Sequence, residues 1–204
     1  MNEKIVTISR EFGSGGRTVA KELAALLEVP YYDRELIEEV ARQTGYAPKF
    51  IEEAGEYSPA GNLFSYAFVG RDTRGASSAD DLWSAQRKVI LALADKGPCV
   101  IVGRCADYIL RDRADVLNVF IHAPMADRAR RVVEKYGETG VAVEKRLLDK
   151  DKKRRVNYKY YTDRTWGAAE NYHLTLDSGK FTPEGCVELL YRLVRGTGAS
   201  VKNP

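Results

Sequence analysis

The chain has 204 residues, 44% of them hydrophobic and 30% charged, with a formal net charge of +3. That composition suits one globular domain and excludes a disordered chain, and so small a net charge gives no electrostatic reason to expect a nucleic-acid or membrane partner. Cys99, Cys105 and Cys186 are scattered and form no CxxC pair, which argues against a disulfide scaffold or a zinc site; with no long apolar segment in view, a cytoplasmic location is expected.

"KIVTIS" (4–9) reads as a buried strand, and Val19, Leu23, Leu26 and Leu27 then keep one face of a helix. "VPYY" (29–32) is a second, short strand, and "RELIEEVARQT" (34–44) is a helix. Leu82, Val89, Ile90 and Leu93 stripe another helix, which Lys96-Gly97-Pro98 closes. "CVIV" (99–102) is a fully apolar strand, "VLNVFI" (116–121) is another strand, and Met125, Ala129, Val132, Val133 and Tyr136 return to helical spacing. "YHLTL" (172–176) is a weaker strand. Thr182-Pro183 reads as an N-cap with proline at the first helical position, opening a helix that carries Val187, Leu190, Tyr191 and Val194 on one side. The alternation predicts an α/β fold with a parallel sheet covered on both faces. Residues 46–81, rich in Gly, Ser, Ala and Asp, and residues 138–167, crowded with Lys, Arg and Tyr, break the rhythm and are expected to serve as lids or binding loops.

The first strand runs into "EFGSGGRT" (11–18), which opens the first helix. A glycine-rich turn at that point aims several backbone N–H groups at one spot, and the helix dipole adds positive charge. Gly13, Ser14, Gly15 and Gly16 supply the bare backbone, Arg17 a cation for terminal phosphates, and Thr18 a hydroxyl suited to Mg²⁺. The pattern G-x4-G-K-[ST] is met with two departures: Glu11 stands at its first glycine and Arg17 at its lysine. An ordinary glycine turn joining strand to helix is the competing reading.

Together with this loop, "CVIVGRCADYIL", "NVFIHAPMADRARRVVEKYG" and "DKDKKRRVNYKYYTDRTWGAAENYHLTLDSG" resemble the cytidylate kinase-like family, a branch of the P-loop nucleoside monophosphate kinases whose loop ends in Gly-Gly-Arg. The resemblance runs from Ile5 to about Leu193. It implies a P-loop NTPase three-layer α/β/α fold with a five-stranded, mainly parallel sheet in a single domain. The core is 1–45, 82–137 and 168–195, the monophosphate-binding insert 46–81 and the lid region 138–167. It also implies ATP and Mg²⁺ as donor and cofactor, and a small-molecule nucleotide, CMP or dCMP, as acceptor.

On this reading Asp33 and Arg34, at the end of the second strand, face the acceptor; Asp33 equally suits an N-cap for the helix that follows. Gly103-Arg104 resembles the Gly-Arg of an Asp-Gly-Arg-Asp segment, with Val102 at its first Asp; Arg104 would grip a phosphate, and Asp107 either assists or caps a short helix. Asp151, Arg154, Arg155 and Tyr158 share one helical face, so Arg154 and Arg155 are the lid cations expected to close on the transferring group, with Arg128 bracketing them. A solvated helix face and a nucleic-acid patch with interleaved tyrosines remain open for the same run. Catalytic roles fall to Arg17, Arg154 and Arg155, substrate contacts to Asp33, Arg34, Arg104, Asp107 and Arg128. His122 ends a strand and His173 begins one, and with no Ser or Cys nucleophile spaced to a carboxylate neither points to a triad or metal site; Trp83 and Trp166 read as packing residues or lid anchors. A kinase of another small molecule, and a nucleotide-binding regulatory module with little turnover, are the alternatives.

Overall fold

A computed structural model describes residues 5–49, 51, 78–137 and 140–196. Most of the 46–81 insert and the side chain of Arg34 lie outside the described residues. Five strands form one sheet: β1 Ile5–Arg10, β2 Tyr31–Tyr32, β3 Cys99–Val102, β4 Val116–His122 and β5 Leu174–Asp177. Their order is β2-β3-β1-β4-β5 and every pairing is parallel, with Ile5 opposite both Cys99 and Val116. The helices are α1 Gly16–Leu27, α2 Arg34–Thr44, α3 Ser78–Asp95, α4 Ala106–Ile109, α5 Met125–Tyr136, α6 Gly140–Thr162 and α7 Thr182–Arg195.

Strand periodicity divides the core into two layers. Ile5, Cys99, Ile101 and Val116 pack on Leu36 and Val40 of α2 and on Leu82, Val89 and Ile90 of α3. Their neighbours in sequence, Val6, Ile8, Val100, Val102 and Leu117, point to the opposite face and meet Val19 and Leu23 of α1 and Val187 and Leu190 of α7. Both faces of the central strands are buried, hence nearly continuous apolar runs; where Thr7 and Asn118 interrupt them, the Thr7 hydroxyl donates to Asn118 Oδ1 at 2.6 Å. Each such side chain contributes about 1.5–3 kcal/mol relative to exposure. α7 opens at Thr182 itself, one residue earlier than an N-cap at Thr182 implies, with Phe181 in the cap position; Thr182 Oγ1 accepts the Gly185 N–H at 3.2 Å in the first turn, and Pro183 follows.

The described part of the charged 138–167 run is mostly one 23-residue helix, α6. Leu147 and Val143 meet Val132 of α5 and Phe12 in a small apolar cluster, while Asp151, Arg154, Asn157 and Tyr158 on the following turns are also buried. Tyr161 near its end lies parallel to Trp83 of α3, ring centroids 4.2 Å apart. The cysteines are buried, and burial pushes the Cys99 and Cys186 thiols up to about 11, which keeps them protonated. No helix among the described residues is long and apolar enough to cross a membrane.

Candidate functional site

The loop after β1 is built by its glycines and by one buried serine. Gly13 and Gly15 adopt φ of +81° and +79°, the left-handed region. A Cβ on Gly13 would lie 2.9 Å from the Arg128 carbonyl oxygen, and one on Gly16 would lie 2.5 Å from Arg10 Cβ, so only glycine allows this path. Ser14 is fully buried and its Oγ donates to the Glu11 carbonyl at 2.9 Å. The Ser14 carbonyl accepts from Ser178 Oγ at 2.5 Å and from Arg131 Nη1 at 3.3 Å, which pins the outer limb of the loop to the end of β5. Gly15 caps α1 without a side chain, and the first turn holds no acidic residue, so the positive end of the helix is left open to an anion.

A cavity of about 630 Å³ opens there, within the size of small-molecule sites. Gly13, Gly15, Gly16, Arg17 and Thr18 form its floor. Arg10, Arg131, Lys135, Arg146, Lys150 and Arg154 line it against the acidic Glu11, Glu134 and Glu184, a surplus of cations suited to a polyanion such as a phosphate chain. Arg10 and Arg154 also line a narrow cleft at the end of β3, with Ser9, Arg104 and Cys105. Arg154 Nη1 donates to the Arg10 carbonyl at 3.2 Å, so these two cations stand together where cavity and cleft meet.

The expected site residues do not all converge. Arg17 and Thr18 line the large cavity. Asp33 makes no capping bond to α2; its carboxylate lies 2.7 Å from Arg17 Nε. Arg104 is buried and donates to the Ile51 carbonyl at 2.8 Å, while its own carbonyl accepts from Gln86. Gly103, Arg104 and Cys105 are three successive left-handed residues, φ +67°, +58° and +54°. For the two non-glycines that conformation costs about 1–2 kcal/mol each. Arg128 is buried beneath the loop, paired with Glu11 at 3.1 Å and with Asp151, and donating to the Phe12 carbonyl at 2.8 Å. Asp151 Oδ1 in turn accepts the Phe12 N–H at 2.8 Å. Arg155 is exposed and turns toward the Trp166 ring, along a second cavity of about 310 Å³ that also touches His122 and Thr175. Arg10 is not among the expected site residues, and of the neighbouring Arg128, Arg130 and Arg131 only Arg128 is. Arg10 carries a usable signal, a cation directly after a buried strand, the same signal that marks Arg104.

Asp107 is 2% exposed and lines neither the cavity nor the cleft. Its carboxyl accepts from Tyr158 Oη at 2.6 Å and from Ser9 Oγ at 3.4 Å, tying α6 to β1 and α4. Burial is the first cause that raises the Asp107 carboxyl above the ordinary range, and burial likewise raises the Tyr158 phenol, which keeps its proton and donates it. A raised acid contributes stability that is full below its unfolded pKa and is lost as pH climbs through the folded value. Asp107→Asn therefore flattens the decline in unfolding free energy on the alkaline side of about pH 4, measured by urea unfolding across pH. Tyr158→Phe leaves this buried acceptor short of a donor and lowers stability by about 1–3 kcal/mol, read from the same urea curves at neutral pH.

A family model described as the cytidylate kinase-like family matches residues 5–180. The chain is 27% identical to a cytidylate kinase of Aeropyrum pernix, over 94% of this chain and 99% of that protein. It is 25% identical to a cytidylate kinase of Pyrococcus horikoshii, over 89% and 83%. Among solved structures, an uncharacterized protein from Eubacterium ventriosum is 27% identical with a TM-score of 0.72, covering 95% of this chain and 99% of that one. A shikimate kinase from Acinetobacter baumannii solved with shikimate shares the fold at 17% identity and a TM-score of 0.54, over 97% and 96%.

Proposed function

The chain belongs to the cytidylate kinase-like family, kinase-like phosphotransferases dependent on ATP, and from that premise we propose that it moves the γ-phosphoryl group of ATP to CMP or dCMP. The observation that carries this reading is the cationic cavity on the glycine loop, which shares Arg10 and Arg154 with the cleft at the end of β3. The triphosphate lies on the N–H groups of Gly13 to Gly16, with Ser14 setting the loop's shape and Arg17 at the β and γ oxygens. The monophosphate lies on the side of Asp33, Arg34 and Arg104, closed by the 46–81 insert, with 138–167 as the lid. An acceptor phosphate oxygen forms its bond to the γ phosphorus as the bond from that phosphorus to the β–γ bridging oxygen breaks, giving ADP and the nucleoside diphosphate. The acceptor is already an anion, so no general base is needed; catalysis is positioning plus neutralisation of oxygen charge.

Mg²⁺ fits the residues present: Thr18 brings a partly exposed hydroxyl into the first turn of α1 at the cavity floor, and this ion takes few protein ligands beside phosphate and water. When bound it offsets charge on the phosphate oxygens. Of the two lid arginines, Arg154 stands at the junction of cavity and cleft and is assigned to the transferring group; Arg155 faces the Trp166 side. Arg154→Ala lowers kcat by about 10²-fold, the scale of one lost charge-stabilising donor. Arg155→Ala stays within about threefold of the parent, because an exposed cation away from the reacting atoms contributes little. Steady-state kinetics of the two variants check the contrast.

A coupled ADP-release assay over a panel of nucleoside monophosphates tests the function itself. Turnover of CMP or dCMP supports it. Turnover confined to a non-nucleotide acceptor assigns the chain to another small molecule. Thermal stabilisation by ATP without turnover of any acceptor marks a regulatory nucleotide binder.

A further inference from the structure

Ser178 is fully buried in the turn that follows β5, and it does not line the loop cavity. That turn is firmly held. Asp177 Oδ1 accepts the Gly179 N–H at 2.8 Å, the Asp177 carbonyl accepts the Phe181 N–H at 2.9 Å, and a Cβ on Gly179 would lie 2.6 Å from Pro124 Cδ. The Ser178 N–H donates to the His122 carbonyl at 2.9 Å, which fixes the residue against the end of β4. Its hydroxyl has a single proton and reaches two carbonyl oxygens, Ser14 at 2.5 Å and His122 at 3.1 Å. The His122 oxygen already accepts the Ser178 N–H, so the proton goes to the nearer Ser14 oxygen. Arg131 Nη1 supports both ends of this bond, 3.2 Å from Ser178 Oγ and 3.3 Å from the Ser14 oxygen.

The direction of the Ser14 carbonyl decides the direction of the next N–H. No described peptide bond is cis, and in a trans peptide the C=O and the following N–H face opposite ways. With the Ser14 oxygen drawn inward to Ser178, the Gly15 N–H faces away from that turn. Gly15 lines the cavity whereas Ser14 does not, and the Gly15 N–H donates to no acceptor among the described residues. Gly15 is also the cap of α1, so this donor stands at the positive end of the helix. Resting on the phosphate-loop reading above, we propose that Ser178 is a positioning residue for the phosphoryl donor: its hydroxyl locks the Ser14–Gly15 peptide so that the Gly15 N–H is preset to donate to the phosphate chain. Without the lock this peptide, with a glycine on one side, turns and presents a carbonyl oxygen to an anion in place of an N–H. Ser178 acts without touching the nucleotide.

Amide NMR of the full chain, titrated with inorganic tripolyphosphate and with ATP–Mg²⁺, tests this well below the melting temperature. In the parent protein the Gly15 amide proton moves downfield as either probe is added, as a charge-assisted hydrogen bond requires. In Ser178→Ala that movement is largely lost, and the calorimetric Kd for both probes rises about five- to tenfold, the ratio set by one net hydrogen bond. The KM for CMP stays within about twofold, because the acceptor lies on the other side of the site. A merely structural hydroxyl lowers Tm but leaves the Gly15 response and both Kd values as in the parent, and that result overturns the inference. So does a Gly15 amide that ignores tripolyphosphate in the parent protein. Ser178→Cys, close in size but a weak donor, shows the same losses to a smaller degree. Should Ser178→Ala not fold, a parental Kd in Ser178→Cys overturns the inference. Turnover is read separately: a Gly15 response with no turnover of any monophosphate fails the proposed reaction and leaves the inference standing, whereas turnover of CMP with unchanged Kd in Ser178→Ala fails the inference alone. A parent that binds neither probe overturns both.

Discussion

Arg17→Ala lowers kcat/KM for CMP by about 10²-fold or more, the loss expected when a group that stabilises transition-state charge is removed. The argument is positional. Residue 17 is the second residue of α1, lies on the cavity floor beside Thr18, and is held by Asp33 at 2.7 Å, so its charge has a fixed address at the loop. Half of the side chain is exposed, so losing its pairing with the largely buried Asp33 costs less stability than breaking a fully buried pair. The loss of turnover therefore far exceeds what any fall in melting temperature accounts for, and parallel thermal melts with coupled ADP-release kinetics separate the two. Unchanged turnover of CMP in Arg17→Ala sinks the assigned role.

The second large effect is on stability. Arg128→Leu removes a buried cation from beneath the glycine loop and leaves Asp151, 1% exposed, with Arg154 at 3.6 Å as its remaining described charge partner. Breaking a buried ion pair from one side costs about 3–5 kcal/mol, since the surviving charge stays desolvated. For a domain of this size that corresponds to a fall in Tm on the order of 10 °C. Differential scanning calorimetry reads it directly. A variant with parental Tm and a raised KM for CMP returns Arg128 to the acceptor, where the sequence reading had placed it.

Those two arginines mark the boundary of what sequence could reveal. Apolar periodicity located α5, Met125–Tyr136, because Met125, Ala129, Val132 and Val133 line its packed face, yet it left the buried Arg128 on the same helix unmarked. The same method leaves α6 as an irregular charged run. The stripe that α6 buries is Leu147, Asp151, Arg154 and Tyr158, helical in spacing but polar in chemistry, and so invisible to a hydropathy pattern. The glycine loop was legible because its constraint is backbone geometry, which leaves glycine as its trace. The partners of Asp33, Arg104, Asp107 and Arg128 were not, because each is distant in sequence or placed by a turn: Asp107 meets Tyr158, and Arg104 meets Ile51. One sequence names a charged residue but cannot say which opposite charge the fold will bring to it.

The parallel rings of Trp83 and Tyr161 have a mechanical meaning. Flat faces stacked at 4.2 Å resist being pulled apart but slide with little penalty, so they make a bearing rather than a weld. Trp83 rides on α3, Ser78–Asp95, and Tyr161 on α6, which spans most of 138–167. The rings therefore tie α3 to α6 directly, and in a Trp166→Phe background indole emission from residue 83 reports whether that contact is made.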